Sequence, residues 1–203
     1  QEILQTVQED NTLENTQNEV YATSEASFID LYKEVVNATG VLNIDRDYKF
    51  NNETDKSSIG IFLDEDNFVI EGNGHTLDGN DLSRIFVIDA ANITLNSLKI
   101  INANNDEGSA IYVNPGCSLT TNNVTFENNT ATEGIIYVGK ATYNSNNDKF
   151  LDATVSAGSV IELTYGALNV DNALMMSSKQ LTWGLIKTID QSSVTVLNSM
   201  VTN

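Results

Sequence analysis

Hydrophobic residues recur along this chain at a step of 25 residues, and this repeat is the strongest pattern in the sequence. Residues two apart face the same side of a β-strand. One apolar column contains Ile61, Phe86, Ile111, Ile136, Ile161 and Ile186. A second column begins two residues later and contains Leu63, Ile88, Val113, Val138 and Leu163, with Thr188 as its polar member. The two columns together predict one buried strand face in every repeat.

Two further apolar series predict additional strands, so that each repeat holds about three. One series keeps the 25-residue step and contains Ile101, Phe126, Leu151, Met176 and Val201. The other contains Phe68, Ile93 and Leu168, with one-residue shifts at Leu119 and Val194. Strands that pair with their equivalents in the next repeat are parallel, in register and about 4.8 Å apart. The pattern therefore predicts an all-β fold, a parallel β-solenoid with about 25 residues per coil.

Asparagine follows the same step and predicts a hydrogen-bonded ladder along the turns. Asn122, Asn147 and Asn172 are separated by 25 residues each. Stacked asparagine side chains in parallel, in-register strands can bond to one another. Asparagine is abundant in this chain, so recurrence of polar turn residues without a ladder is the alternative.

The chain before the repeats divides into an acidic segment and a short helix. Residues 1–26 contain acidic but no basic residues and few apolar ones, which predicts an extended leader or linker. Ser27 and Asp30 are typical of a helix start, and Gly40 of a left-handed C-cap. The helical spacing of Phe28, Leu31, Tyr32, Val35 and Val36 predicts an amphipathic helix over 27–39 that caps the first coil. Residues 41–50 alternate and predict a strand. We therefore predict a single β-helix domain over 27–203.

The segment NFVIEGNGHTLDGNDLSRIFVIDAANITLNSLKIINA, residues 67–104, resembles the opening coils of right-handed parallel β-helix proteins of the pectin-lyase-like class. With the preceding FIDLYKEVVNATGVLNIDRDYKF, it resembles more narrowly the adhesin-like surface proteins of methanogenic archaea. The resemblance extends over about 27–130. It implies a right-handed helical stack with an N-terminal cap, secretion, and a role in surface attachment.

Composition narrows the possible partners. The chain has 28 acidic and 10 basic residues and a net charge of -18, which excludes nucleic acid and anionic membrane surfaces as partners. Its polarity comes mostly from neutral side chains: 27 Asn, 20 Thr and 16 Ser. We expect Asn and Asp to supply the left-handed turn positions. No stretch is apolar enough to span a bilayer. The chain begins at Gln1, and we expect an extracellular protein whose signal peptide has been removed.

A polysaccharide-active enzyme, a hydrolase or a lyase, is the catalytic alternative, because GNGHTLDG resembles a stretch of polygalacturonase-like enzymes. Hydrolysis needs two positioned carboxylates. The nearest candidates are Asp64, Asp66, Asp78 and Asp89, but the catalytic signatures of that family are absent. We therefore predict a protein without catalytic residues or cofactor.

Metal and thiol chemistry are also not indicated by the sequence. His75 is the only histidine, and we interpret it as a turn residue. The acidic runs at 64–67 and 78–81 do not match a calcium-binding loop, so no metal site is predicted. A lone Cys117 excludes a disulfide framework, and we interpret it as an unreactive residue at the start of a strand.

One outward column is unusually apolar and supplies the candidate binding residues. Between the two buried columns lie Phe62, Val87, Tyr112, Tyr137, Glu162 and Lys187. Aromatic rings bury area at low entropic cost. We predict that Phe62, Tyr112 and Tyr137 form a strip that binds a glycan or a cell-surface protein. The alternative is that a loop or the N-terminal segment covers the strip.

These observations favour a non-catalytic, extracellular, adhesin-like module that is a structural scaffold or a binder of carbohydrate or surface protein. A self-assembling filament or stalk subunit is a further alternative. The final segment, VTVLNSMVTN, is still in phase with the repeat, and no capping element follows it. We expect either that the stack continues in a longer protein or that this end self-associates end to end.

Overall fold

The computed structural model describes residues 26–176, 181 and 184–202, and the regular secondary structure of this part of the chain is almost entirely β-strand. Its one helix, α1, covers Phe28–Asn37. The strands in chain order are β1 (Ala26–Ser27), β2 (Val41–Asn43), β3 (Tyr48–Lys49), β4 (Ile61–Leu63), β5 (Val69–Glu71), β6 (Thr76–Asp78), β7 (Phe86–Ile88), β8 (Ile93–Asn96), β9 (Lys99–Ile101), β10 (Asn104–Glu107), β11 (Ile111–Val113), β12 (Ser118–Asn122), β13 (Thr125–Glu127), β14 (Thr130–Glu133), β15 (Ile136–Gly139), β16 (Thr142–Asn146), β17 (Lys149–Leu151), β18 (Thr154–Val155), β19 (Ile161–Thr164), β20 (Ala167–Asp171), β21 (Leu174–Met176), β22 (Ile186–Ile189), β23 (Ser193–Leu197) and β24 (Met200–Thr202).

The strands form four parallel sheets that run along the molecule, and each coil adds one strand to every long sheet. The seven-stranded sheet is β2-β5-β8-β12-β16-β20-β23, and the eight-stranded sheet is β1-β3-β6-β9-β13-β17-β21-β24. The six-stranded sheet is β4-β7-β11-β15-β19-β22. This is the predicted parallel β-solenoid, with about seven coils. Its right-handed sense rests on the resemblance and agrees with the preferred hand of parallel crossovers.

The six-stranded sheet confirms the 25-residue period residue by residue. Ile61 pairs with Phe86, Phe86 with Ile111, and the pairing continues through Ile136 and Ile161 to Ile186. The second predicted column pairs in the same register, because it lies two residues further along the same strands. Both columns are buried from the first to the fifth of these strands.

The ladder predicted through Ile101, Phe126, Leu151, Met176 and Val201 is wrong in register. In the eight-stranded sheet the buried ladder contains Leu77, Ile100, Phe126, Phe150 and Met175. The steps between these residues are 23, 26, 24 and 25. The first is short because the turn between β5 and β6 has four residues and the later turns into this sheet have two. The second is long because one extra residue lies between Val113 and Leu119, compared with Ile88 to Ile93 in the coil before. A shift of one residue moves a side chain to the opposite face. Ile101, Leu151 and Met176 therefore face outward.

The seven-stranded sheet confirms the predicted one-residue shifts at Leu119 and Val194. It also shows that the predicted asparagine ladder is two separate ladders. Ile93 pairs with Leu119, and Leu168 pairs with Val194. Asn122 lies in register between Asn96 and Asn146, and its amide bonds to both. Asn147 and Asn172 form another ladder in the following turn, where the Nδ2 of Asn172 donates to the Oδ1 of Asn147 at 2.5 Å.

Asparagine and aspartate occupy most left-handed positions, as expected from composition. Of the sixteen non-glycine residues with positive φ in the described chain, ten are Asn and three are Asp. Their short side chains tolerate this conformation better than other side chains do. The sharp corners between sheets therefore need few glycines.

The N-terminal cap is confirmed, with shorter bounds than predicted. Phe28, Leu31 and Val35 of α1 are buried against the first coil. The carboxylate of buried Asp55 accepts hydrogen bonds from the N–H groups of Phe28 at 3.2 Å and Ile29 at 2.8 Å, and thereby satisfies the helix N-terminus. Gly40 has positive φ but lies beyond the C-cap residue, Ala38, so it does not end the helix as predicted.

Two differences from prediction concern strand number. The segment 41–50 forms two strands, β2 and β3, in different sheets. Three coils also contain a fourth strand, because β10, β14 and β18 form a short three-stranded sheet. The predicted leader lies outside the described residues except for Ala26, which begins β1 and pairs with Tyr48.

A polar cluster around Asp148 lies among the apolar ladders of the solenoid interior. The carboxylate of Asp148 accepts hydrogen bonds from the hydroxyl of Ser145 at 2.7 Å, the N–H of Val124 at 2.7 Å and the hydroxyl of Thr121. The Thr121 hydroxyl also lies 2.9 Å from the hydroxyl of Tyr143. Burial raises the pKa of Asp148 to about 6, against the opposing effect of these hydrogen bonds.

Candidate binding surface on the six-stranded sheet

The predicted outward column occupies successive strands of the six-stranded sheet. Phe62 pairs with Val87, Val87 with Tyr112, and Tyr112 with Tyr137. Glu162 and Lys187 follow in the same register. These six side chains form one line because this sheet keeps a constant 25-residue period. We call this line the outward column.

The outward column is not uniformly exposed. Phe62 is 42% exposed, whereas Val87 is only 4% exposed, and both tyrosines are half-buried. The structure thus brings Tyr112 and Tyr137 together and separates Phe62 from them by one buried residue. The predicted strip is divided into an aromatic pair and a single phenylalanine nearer the cap.

Tyr112 and Tyr137 are stacked on each other. Their ring centroids are 5.0 Å apart, and the ring planes are within 16° of parallel. The Tyr137 hydroxyl lies 3.1 Å from the Oγ1 of Thr164, a hydrogen-bonding distance. Because the rings stack along the solenoid axis, each covers one face of the other. The two ring faces that are turned toward each other are therefore closed to any other molecule.

Arg84 organises this surface and was not identified from the sequence. Its guanidinium carbon lies 5.3 Å from the ring centroid of Tyr112. Its Nε donates to the carbonyl of Gly108 at 2.9 Å, and its Nη1 donates to the carbonyl of Ile59 at 3.0 Å. Its Nη2 donates to the Oδ1 of Asn105 at 3.0 Å and to a neighbouring carbonyl. One side chain thus connects three coils and covers the face of Tyr112 opposite Tyr137.

Burial shifts the pKa of both members of this cation–π contact toward the neutral form. The pKa of Arg84 is lowered chiefly by burial, and the pKa of Tyr112 is raised chiefly by burial. Tyr112 therefore stays a neutral hydrogen-bonding group at physiological pH.

The sequence offered one signal for Arg84, which was the rarity of arginine: the chain has only one other, Arg46.

Glu162, which the sequence placed on an outward face, is fully buried. Its Oε1 accepts a hydrogen bond from the Nζ of Lys187 at 2.8 Å and so forms an ion pair, while its Oε2 has no hydrogen-bond partner among the described residues. Gly158 covers this carboxylate, because a Cβ atom on Gly158 would collide with Oε2. A loop therefore covers the Glu162 position of the outward column, which lies outside the predicted strip of Phe62, Tyr112 and Tyr137.

Phe62 belongs to a surface cavity at the cap end of the solenoid. The cavity has a volume of about 270 Å³ and lies between α1 and the loop before β4. Tyr32 and Ile59 line it beside Phe62, and all three are more than 40% exposed. Tyr32 belongs to the apolar helix face predicted from the sequence, but it lines this cavity and is not buried in the core.

The carboxylates considered for catalysis serve turns and neighbouring coils. The Oδ1 of Asp66 accepts the N–H of Ala91 at 2.8 Å, and the Oδ1 of Asp89 accepts the side-chain amide of Asn114 at 2.8 Å. Asp78 accepts the side-chain amide of Asn102 at 3.0 Å. Asp64 is exposed beside the cap. Over the described ranges, no group of three or more His, Cys, Asp and Glu side chains is placed to hold a metal ion.

His75 and Cys117 have the local roles that the sequence indicated. His75 lies in the turn between β5 and β6, with its Nδ1 3.0 Å from the Oδ1 of Asp47. Cys117 lies immediately before β12. Burial, followed by the charges of Asp89 and Asp66, raises the pKa of the Cys117 thiol. A raised pKa lowers the fraction of reactive thiolate.

The last coil has a different surface from the others. Strands β22, β23 and β24 lie at the edges of the three long sheets. Five of the exposed residues here are apolar: Val194, Val196, Leu197, Met200 and Val201. Within residues 184–202, no capping helix covers these side chains.

Comparison with known proteins finds no match for this chain among protein-family models, curated proteins or solved structures. The likeness to archaeal adhesin-like proteins therefore remains an expectation from the sequence. None of the helical segments in the described chain has the length and apolarity to cross a membrane.

Proposed function

We propose that this protein is a non-catalytic, extracellular, adhesin-like module that presents ligand-binding faces on a rigid β-solenoid. The observation that carries the proposal is the preorganised Tyr112–Tyr137 pair beneath Arg84. Stacking, a cation–π contact and four guanidinium hydrogen bonds hold these side chains in place before any ligand arrives. Preorganised groups bind with a smaller loss of conformational entropy.

The geometry of the pair favours a protein ligand over a stacked sugar ring. Sugar stacking needs an open aromatic face, and both faces of Tyr112 are covered. Tyrosine and arginine are enriched at the centres of protein–protein interfaces. The ring edges, the tyrosine hydroxyls and the rim of Arg84 suit a partly polar protein surface. The proposed partner is therefore a protein on a neighbouring cell surface.

The test measures retention of the purified chain on isolated cell envelopes. Envelopes of a methanogenic archaeon are the first probe, since the resemblance points to that group. We expect retention that protease treatment of the envelopes abolishes and that periodate oxidation of their glycans leaves intact. Periodate sensitivity with protease resistance would instead assign a glycan ligand to the pair.

Variants connect this retention to the aromatic pair. The double variant Tyr112→Ala, Tyr137→Ala should weaken retention at least tenfold. Tyr165→Asn is the matched control, because Tyr165 is exposed on a turn before β20 and has positive φ, which asparagine tolerates. Equal retention of all three proteins would reject the proposal. Release of new reducing ends or unsaturated sugars from a polysaccharide panel would establish the enzyme alternative.

A stalk or filament subunit is the second candidate, and the apolar surface of the last coil favours it. Three strand edges and several exposed apolar side chains lie together there. Exposed strand edges readily pair with other chains. Sedimentation over a hundredfold range of concentration tests this candidate. Association that Val196→Lys removes would support it, and a monomer throughout would reject self-association.

A further inference from the structure

The outward face of the seven-stranded sheet is built from Thr and Asn side chains in a regular array. We call this surface, formed by β8, β12, β16 and β20, the Thr/Asn face. Its two central columns are half-exposed or exposed. One column contains Thr94, Thr120, Asn144 and Asn169, and the other contains Asn96, Asn122, Asn146 and Asp171.

The Thr/Asn face is almost neutral on a strongly acidic protein. The chain carries a net charge of -18, yet no residue of β8, β12 or β16 is charged. Charges lie at its two edges: Asp171 ends one column, and Glu71 of β5 lies beside Asn96 at the other end and accepts its side-chain amide at 2.8 Å. A neutral polar surface can accept a neutral polymer, whereas the charge of the whole protein repels anionic polymers. The charge pattern thus selects the ligand class.

Hydrogen bonds between coils hold the amide groups of this face in one orientation. Asn122 donates to Asn96 at 2.8 Å, and Asn146 donates to Asn122 at 3.0 Å. In the other column, Asn169 donates to Asn144 at 2.9 Å. Each of these bonds uses one of the two N–H groups of an amide. The second N–H group and the carbonyl lone pairs can therefore serve a ligand from a fixed position.

The array also has a regular two-dimensional spacing. Successive coils repeat at about 4.8 Å, and outward residues along one strand repeat at about 6.8 Å. A flat polysaccharide presents hydroxyl groups at regular intervals, each of which both donates and accepts hydrogen bonds. Many weak bonds formed together on a rigid array can give useful affinity, because little side-chain entropy is lost.

We propose that the Thr/Asn face binds a neutral, flat polysaccharide whose chains lie across several coils. This site lies on a different sheet from the Tyr112–Tyr137 pair and takes a different class of ligand. The protein would then connect a polysaccharide surface on one side to a protein partner on another.

The experiment measures depletion of the full chain from solution by microcrystalline cellulose and by chitin powder, with soluble pectate as an anionic comparison. We expect binding to at least one neutral polymer and none to pectate. Thr120→Lys places a long charged side chain at the centre of the face and should raise the Kd at least tenfold. Thr120→Val removes the hydroxyl with little change of shape and should raise it about threefold.

Leu151→Lys is the matched control, because it adds the same charge to an outward position of the eight-stranded sheet beside Glu127. It should bind as the unmodified protein does, and so should the double variant Tyr112→Ala, Tyr137→Ala. Circular dichroism and thermal unfolding verify that each variant is folded. If Thr120→Lys is not folded, Thr120→Val decides the outcome.

Several results would overturn the proposal. These are absence of binding to both neutral polymers, equal weakening by Leu151→Lys, and undiminished binding by folded Thr120 variants. Inhibition of ice recrystallisation without polysaccharide binding would assign the array to a different ligand. Loss of polymer binding in the tyrosine double variant would move the site to the six-stranded sheet. Envelope retention tests the proposed function separately, so the two proposals can fail independently.

Discussion

The interior of the solenoid is maintained in two different ways within the same coils. Under the eight-stranded sheet, Phe126 and Phe150 stack with centroids 4.8 Å apart and planes within 9° of parallel. At the neighbouring corner, Asp148 and Tyr143 are buried in a hydrogen-bonded cluster. The phenylalanine ladder repeats a residue type between coils, whereas the polar cluster joins different residue types from two successive coils. Repetition therefore defines the stack, and individual levels can differ without interrupting it.

Phe150→Ala should produce the largest loss of stability of any change discussed here. The ring is fully buried and contacts an equivalent ring in the next coil. Replacement leaves a cavity, and such changes cost about 3 to 5 kcal/mol. Urea unfolding measures the free energy of unfolding. Leu151→Ala, at the adjacent outward position, should cost less than about 1 kcal/mol. Similar losses for the two variants would contradict the assigned register.

Asp148→Asn should show how much a buried negative charge in the polar cluster destabilises the fold. The effect is seen in how the free energy of unfolding depends on pH. The folded pKa of about 6 exceeds the ordinary value of 3.8, so the folded protein holds this proton more tightly than the unfolded chain. The contribution of Asp148 to stability is fully present below about pH 4 and is lost as pH rises through about 6.

The variant does not titrate, so its stability relative to the unmodified protein should increase by about 2 to 3 kcal/mol between pH 4 and pH 7. Chemical unfolding across this range measures the difference. Asp64→Asn makes the same charge change at an exposed position and is the matched control. A constant difference between Asp148→Asn and the unmodified protein would show that Asp148 does not titrate in this way.

Tyr143→Phe should have the smallest effect, because it removes only the hydroxyl group that lies against Thr121. The ring still fills its place in the core, and losing one net hydrogen bond costs about 1 kcal/mol. Thermal unfolding measures the change. Tyr165→Phe, on an exposed turn, should be within about 0.5 kcal/mol of the unmodified protein. An effect above about 3 kcal/mol would indicate that the whole cluster depends on this hydroxyl.

The sequence predicted the fold best where turn lengths were constant. Ile61 through Ile186 keep a strict step, so apolar periodicity alone identified their pairing. In the eight-stranded sheet, variable turns moved Phe150 rather than Leu151 into the core, and a fixed step could not follow that change. Burial of Asp148 was not predictable, because an aspartate beside two asparagines has the composition of a solvated turn.

The candidate surface was predicted in part. The line from Phe62 to Lys187 followed from the period, but the packing of Gly158 against Glu162 and of Arg84 against Tyr112 did not. The Arg84 contacts join neighbouring coils at the repeat distance, since Ile59 lies 25 residues before Arg84, but arginine occurs at this position in one repeat only. Sequence spacing describes what each strand contributes, and it contains no signal for side chains that cross from a turn onto a sheet.

The stacking of coils also determines how long the solenoid is for a given number of residues. Each coil uses about 25 residues yet advances the molecule by only about 4.8 Å, or about 0.2 Å per residue. An α-helix advances 1.5 Å per residue, and an extended chain more than 3 Å. Seven coils therefore rise only about 34 Å. A chain folded in this way is short along the solenoid axis and exposes a large area of rigid β-sheet. Such a shape suits broad contact with another surface.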